Sequence, residues 1–237
     1  VGLTWEYIKG YDLKLLYGHA FRAPSFFEAY EPANGNPDLD PETIDTYEIS
    51  LGAEFTPSLG SRVTLYYRVG VDTIGGPPSL EPPWYWANDP GKSRDHGFEI
   101  ELDYDFGRGT YIAGHYNYQS LDLATSYQTL EFDAKFHIGT IMANIRLSRH
   151  LNLYADCHIW SGGERWLPED VRGDYSGGAI VNATLIAKKF LKGYEGLELR
   201  GSVYNLFDKD YRNDTLPDIP NDFPMPGINY LLEIKYE

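Results

Sequence analysis

Apolar and polar residues alternate with a period of two through much of this chain. Phe98, Ile100, Leu102, Tyr104 and Phe106 are apolar, whereas the interleaved Glu99, Glu101, Asp103 and Asp105 are all acidic. Successive strand residues point to opposite faces, so this segment has one greasy side and one strongly charged side. Tyr47, Ile49, Leu51, Ala53 and Phe55 alternate in the same way with Thr46, Glu48, Ser50, Gly52 and Glu54. Val63, Leu65, Tyr67, Val69 and Val71 repeat the pattern, as do Leu151, Leu153, Ala155, Cys157 and Ile159. Near the end, Ile228, Tyr230, Leu232, Ile234 and Tyr236 alternate with Asn229, Glu233 and Lys235. Segments around 138–147 and 179–188 alternate less cleanly. Taken together, the pattern predicts about eleven strands.

The links between these strands sort by length. Short links are expected near 9–11, 56–61, 107–109, 148–150 and 191–195, and long ones at 22–42, 75–92, 119–130, 161–174 and 208–226. Strict alternation of short and long is what an outer-membrane barrel does, with short periplasmic turns and longer external loops. A soluble sandwich has no reason to sort its loops by parity. The expected fold is therefore all-β, an antiparallel transmembrane β-barrel. A long external link before the last strand sends that strand inward, and counting back puts Val1 outside. Bacterial barrels have even strand numbers with both ends inside, so an odd count implies further strands upstream. Val1 is not a natural start, and the chain reads as an excised piece.

Composition changes this picture only in places. The 237 residues include 20 Tyr and are 15% aromatic. Mean hydropathy is −0.42, a value expected of soluble proteins, but a barrel wall exposes only alternate residues to lipid. No stretch reaches the length of about 18 apolar residues that a spanning helix needs. The net charge of −15, from 35 acidic and 20 basic residues, argues against nucleic-acid partners. Cys157 is the one cysteine, which excludes an internal disulfide or a cysteine-cluster metal site.

Several boxes then carry a resemblance. Phe21-Arg22-Ala23-Pro24 is followed by Gly35-Asn36-Pro37-Asp38-Leu39-Asp40-Pro41-Glu42-Thr43 and a strand with Tyr47-Glu48. Later come Asn205-Leu206-Phe207-Asp208-Lys209-Asp210-Tyr211 and Pro224-Met225-Pro226-Gly227. In order and spacing this set resembles the FRAP, NPxLxPE and closing NLFDKxY…PxPG boxes of TonB-dependent outer-membrane receptors. The resemblance implies that residues 1–237 are the C-terminal portion of such a receptor, about half of a 22-stranded barrel. The N-terminal strands and the plug domain that contacts TonB would then be absent. It implies residence in the bacterial outer membrane among its lipids, and energised uptake of a scarce nutrient chelate, such as a siderophore–iron complex or cobalamin. Two departures are visible: Ile228 stands where the family usually has Arg, and Tyr236 is penultimate instead of last.

The residues themselves give Phe21, Arg22, Ala23, Pro24, Asn36, Pro37, Leu39, Pro41, Glu42, Asn205, Leu206 and Phe207 a structural reading. Pro24 biases Ala23 away from helix and starts a loop, and Asn34-Gly35-Asn36-Pro37 and Asp40-Pro41-Glu42 are turn clusters. A structural partner for Arg22 outweighs a ligand carboxylate. The candidate ligand-binding residues are loop aromatics: Phe26, Phe27 and Tyr30 in the first long link, and Trp84, Tyr85 and Trp86 in the second. Such side chains can grip an apolar or planar ligand. They equally suit an interfacial aromatic belt, and a phage or bacteriocin could hold them too. Arg165 or Arg172 could attract an anionic chelate against the overall charge.

Haem receptors of this family carry a His between the first two boxes, and the interval 25–34 has none. His115, His137 and His158 take a structural role by default. Asp38, Asp40, Glu42, Asp208, Asp210 and Asp214 do not match calcium-loop spacing, so no metal and no cofactor is expected. Arg172-Gly173-Asp174 reads as a turn. No catalytic signature is present, and the row of Glu99 and Glu101 reads as a polar lumen wall. The alternatives are a passive outer-membrane porin and a soluble all-β carbohydrate-binding protein.

Overall fold

A computed structural model describes residues 1–75, 85–124, 131–165, 171–213 and 219–236. Strands β1 (Gly2–Ile8), β2 (Tyr11–Arg22), β3 (Glu42–Thr56), β4 (Leu59–Gly75) and β5 (Ala87–Gly107) come first, with helix α1 (Phe26–Tyr30) between β2 and β3. They are followed by β6 (Thr110–Ala124), β7 (Glu131–Arg146), β8 (Leu151–Trp160), β9 (Gly178–Lys188) and β10 (Leu197–Tyr204). The short β11 (Arg212–Asn213) and β12 (Phe223–Pro224) precede the last strand, β13 (Asn229–Tyr236). β1 to β10 and β13 form one sheet of 11 strands in chain order, and β11 pairs only with β12. β1 and β13 end that order, so the sheet is not closed. The all-β antiparallel class and the eleven strands expected from the sequence are both found.

The chain falls into two compact units. One comprises Val1–Leu51, Val63–Phe98 and Gln119–Lys135, the other Gly52–Arg62, Glu99–Tyr118 and Phe136–Glu237. Registers in the second unit show how the two strand faces arise. Ile145 lies opposite Leu153, Leu153 opposite Leu185, Leu185 opposite Gly201, and Gly201 opposite Leu232. One residue away, Asn144, Tyr154, Thr184 and Ser202 are aligned on the other face. There Thr184 and Ser202 share a hydroxyl hydrogen bond of 2.9 Å, and Asn182 donates to Asp156 at 2.7 Å. Lys188, Glu198 and Lys235 are also opposed on this face, with Lys188 Nζ 2.8 Å from the Glu198 carboxylate. A one-residue slip would exchange these two rows, so the apolar face fixes the register.

The sheet has almost no core of the aqueous kind. Among the described residues the buried hydrophobics are Tyr66, Ile74 and Ala87, while Leu232 is 74% and Ile234 70% exposed. Ile49, Leu51, Leu65, Leu102, Ile141 and Leu185 are exposed on the faces read as apolar from the sequence. An apolar surface of this extent does not stay in water unshielded, and it has the character of the outward face of a membrane barrel.

The strands run longer than the pattern predicts. β5 begins at Ala87, inside the expected long link 75–92, and β6 continues to Ala124, inside 119–130. Spanning a bilayer takes about 9–11 strand residues, so strands of this length project well past it. Beyond the lipid both faces meet water and alternation disappears, which hides segments such as Asp89–Asp95 from a periodicity reading. The link between β5 and β6 is tight, with Gly107, Arg108 and Gly109 at φ 80°, 57° and 81°, left-handed conformations that glycine adopts without a Cβ penalty.

Replacing Leu185 by Arg is expected to destabilise the full-length protein in lipid vesicles by about 2–4 kcal/mol if the site lies near the bilayer midplane. Glu101→Gln, on the opposite kind of face, should stay within about 0.5 kcal/mol. Urea unfolding followed by tryptophan fluorescence measures both.

Candidate functional site

The first long link is shaped by three charged residues. Pro24 fixes the chain direction after β2, and Ser25 caps α1. The Glu28 N–H donates to Ser25 Oγ at 3.2 Å, and the Ser25 N–H donates to Glu28 Oε2 at 2.6 Å, a reciprocal capping box. Glu28 is buried beneath this turn. Arg22, the last residue of β2, meets it with two parallel bonds of 2.9 and 3.0 Å and turns its Nε to Glu42 Oε2 at 2.5 Å. Glu42, the first residue of β3, accepts the Ile74 N–H at 2.6 Å near the end of β4. One guanidinium thus clasps the helix to the neck of its own loop, a geometry suited to the planar fork of Arg. The Arg22 guanidinium and the Ser25 N–H hold the Glu28 carboxyl well below the usual carboxylate range, at about 2.

The second long link is fastened to the first. Asn36 Nδ2 donates to the Trp86 carbonyl at 2.9 Å, and the Trp86 N–H donates to the Asn34 carbonyl at 3.0 Å. Asn88 reaches further: its Oδ1 accepts the Asp40 N–H at 2.8 Å, and its Nδ2 donates to the carbonyls of Asp40 and Asp72 at 2.8 and 2.7 Å. Asp72 has φ 56° within β4, so Asn88 secures a backbone kink. A Cβ on Gly35 would come within 2.5 Å of the Glu31 nitrogen, which leaves glycine as the side chain that fits after α1.

These fastenings bring the candidate aromatics into one neighbourhood. Phe27 meets Trp86 edge-on at 6.3 Å and 73°, and Phe26 lies 5.2 Å from Tyr30. Phe26 is 81%, Phe27 61% and Tyr30 60% exposed, and Tyr85 is exposed beside half-buried Trp86. Trp84 lies outside the described residues. A rigidly mounted aromatic shelf of this kind can take the flat or apolar surface of a ligand with little ordering cost.

The second unit carries two further loop anchors. Asn205, buried at φ 51°, accepts the Lys209 N–H at 2.8 Å and donates to the carbonyls of Lys209 and Pro226 at 2.9 and 3.2 Å. Its own N–H donates to Asn182 Oδ1 at 3.0 Å, and Asp208 accepts the Ile228 N–H at 2.9 Å. Asn205 and Asp208 thereby knot the start of the last loop to its end, while Leu206 and Phe207 remain exposed. Phe21, Ala23, Pro37 and Pro41 are exposed in the first unit, and Leu39 is half-buried.

Asp222 anchors the other loop. Arg165 binds it with two bonds of 3.0 and 2.7 Å, and Arg172 adds one of 2.8 Å together with 2.7 Å to the Ile219 carbonyl. The three side chains are only 8%, 11% and 12% exposed. The two arginines expected to attract an anionic chelate are thus both nearly buried and share the Asp222 carboxylate. Gly173, at φ 74°, makes the Arg-Gly-Asp segment a turn. His137 is met by the Tyr116 hydroxyl at 2.6 Å, and His158 lies 3.0 Å from Asp156. Among the described residues no group of three His, Cys, Asp or Glu side chains is placed to hold a metal; Asp214 lies outside them.

Glu28, Asn88 and Asp222 escape a reading of the sequence. For Glu28 a signal is present, since Ser25-Phe26-Phe27-Glu28 spells the capping-box pattern. Asn88 and Asp222 act on partners far along the chain, and no local pattern announces them.

A family model described as TonB dependent receptor-like, beta-barrel, matches residues 1–206. Over 56 residues, 24% of this chain and 9% of the relative, the sequence is 36% identical to the vitamin B12 transporter BtuB of Vibrio cholerae. The fold is similar to that of the ferric enterobactin receptor PfeA of Pseudomonas aeruginosa, solved with enterobactin. The TM-score is 0.80 at 17% identity, over 99% of this chain and 40% of that one. It is also similar to the closed form of the ferric-catecholate import receptor Fiu of E. coli K12, with TM-score 0.77 at 16% identity, over 99% and 34%. The chain spans two fifths or less of the length of each of these proteins.

Two outcomes are expected from the anchors. Because the folded Glu28 carboxyl lies below its ordinary value, its contribution is complete above the ordinary carboxylate pKa and is lost as pH falls toward about 2. The hydrogen-exchange protection factors of residues 25–36 in the full-length protein, taken relative to the intrinsic rate at each pH, should therefore fall over that window, and in Arg22→Met they should already be low at neutral pH. Asn205→Ala removes three buried side-chain bonds and imposes a left-handed Ala, costing about 2–4 kcal/mol, read as a fall in the urea midpoint.

Proposed function

The chain belongs to the TonB-dependent receptor β-barrel family, and on that premise we propose that it forms the later, ligand-facing part of an outer-membrane receptor. In this reading the receptor captures a scarce nutrient chelate, of the siderophore–iron or cobalamin kind, and admits it with energy drawn through TonB. The observation that carries the reading is the fastened aromatic shelf of Phe26, Phe27, Tyr30, Tyr85 and Trp86. A flat chelate laid on it gains apolar burial and ring contact, while Arg22, Asn36 and Asn88 keep the shelf in place without touching the ligand. In this reading TonB works on the receptor's plug domain, and the residues described here serve capture.

The polar strand face suits a lumen. Glu99 accepts from Asn117 at 3.3 Å, and Ser61 donates to the Glu101 carbonyl at 2.9 Å, so these residues are tied into the wall. The soluble carbohydrate-binding alternative is disfavoured by the exposed apolar face, and the passive pore by the family. The same exposed rings offer a grip to a phage or bacteriocin.

The test titrates the full-length receptor in detergent with cyanocobalamin and, separately, with an iron-loaded catecholate, followed by tryptophan fluorescence. Joint replacement of Phe26, Phe27 and Tyr30 by Ala should weaken the chelate that binds by about ten- to a hundredfold, with melting unchanged. If the triple variant binds as the wild type does, the shelf is not the capture surface; if neither chelate binds the wild type, the assignment to these two chelate classes falls.

A further inference from the structure

The second unit carries a groove that the uptake reading does not use. It is open, about 770 Å³, and lies between the β5–β6 turn and the β7–β8 turn. Its wall is made by Phe106, Tyr111, Ile112, Ala143 and Ile145, and its rim by Arg108, Arg146 and Arg149. Ala143 and Ile145 belong to the apolar row that continues through Leu153 and Leu185, so the groove borders the apolar face of the sheet.

The rim is built. Arg146 donates from Nη1 to the Arg108 carbonyl at 3.2 Å and from Nε to the Ser148 carbonyl at 3.3 Å. Its N–H donates to Thr110 Oγ1 at 3.1 Å, and Asn144 Nδ2 donates to the Gly109 carbonyl at 2.5 Å. These bonds hold the two turns side by side and leave Arg108 and Arg149 exposed at the mouth. Neither forms an ion pair with an acidic residue among the described residues. Two such cations beside an apolar cleft are conspicuous in a chain of net charge −15.

We propose that this groove binds an anionic phospholipid of the periplasmic leaflet, with its phosphate between Arg108 and Arg149 and an acyl chain along Phe106, Ile112 and Ile145. Charge complementarity commits the site to this occupant. The guanidinium groups match a phosphate, and the wall matches hydrocarbon, so free phosphate satisfies only half of the site. The leaflet follows from the short turns, which are periplasmic in outer-membrane barrels; to that extent the proposal rests on the receptor reading. The bound lipid would staple two neighbouring hairpins at the level where the wall leaves the membrane.

The test uses the full-length receptor in mild detergent. Native mass spectrometry counts retained lipid after addition of phosphatidylglycerol, phosphatidylcholine or inorganic phosphate. Phosphatidylglycerol should be retained and raise the melting temperature, and phosphatidylcholine and phosphate should do neither. Replacing Arg108 and Arg149 together by Gln should weaken phosphatidylglycerol retention by about twenty-five-fold, at about fivefold for each arginine. Arg→Lys at both positions should keep most of it, and Ile112→Trp, which fills the wall, should reduce it with all charges intact. Heat-modifiable gel mobility reports that each variant is folded. Equal retention of the two lipids, or unchanged retention in the Gln variant, overturns the proposal. If the wild type still binds its chelate in that case, the receptor reading stands and only the lipid site falls; if the full-length protein fractionates as soluble, both fall.

Discussion

Every backbone N–H and C=O in a strand that faces lipid must find its partner in a neighbouring strand, because hydrocarbon offers none and each unpaired group costs several kcal/mol. That requirement orders the rest of this molecule. It explains why eleven strands pair in chain order, and why the links between them stay short wherever function asks nothing more. It also explains how a sheet can be specified with only three buried hydrophobic side chains among the described residues. Specificity lies instead in the register, where the row from Ile145 to Leu232 faces one way and Asn144 to Ser202 the other. An exposed apolar row and an opposed polar row take the place of a core.

Outside the lipid that discipline ends, and the loops need fastenings of their own. The molecule uses a few polar side chains, each with several partners. Arg22 joins helix, strand and neck; Asn88 joins the second link to the first and to the kink at Asp72; Asn205 closes the last loop on itself. Each anchor serves several partners at once, which fixes a loop at the entropic cost of ordering a single side chain. The exposed rings of Phe26 and Phe27 are held by this framework and do not contribute to it. Support and contact surface are therefore separate sets of residues, so the surface can change while the loop keeps its shape.

How much of this can be read along the chain depends on range. Strand identity is legible because alternation is a local property: Glu99 and Ile100 declare their faces without reference to anything else. Strand ends are not, since Asp89 to Asp95 lie where both faces are wet and the pattern has no cause. The aromatics are recognisable as a group, but the contact between Phe27 and Trp86 depends on Asn36 reaching across many residues. Arg165 and Arg172 look like free cations because Asp222, their partner, is distant in sequence. The capping box at Ser25 and Glu28 is the exception, a loop device written within four residues.

The trio of Arg165, Arg172 and Asp222 has a consequence for how such a receptor can change over time. Losing Asp222 removes an anion that two nearly buried cations share, and losing either arginine removes one of its ion pairs; breaking a buried pair costs about 3–5 kcal/mol. Replacing all three by apolar residues together need cost little. The intermediate steps are thus the expensive ones, and the two loops joined at this point form an epistatic unit. Mutational drift can rework the surface around the trio freely, but can cross it only by several substitutions at once. The joint therefore acts as a fixed point around which the two loops must diversify.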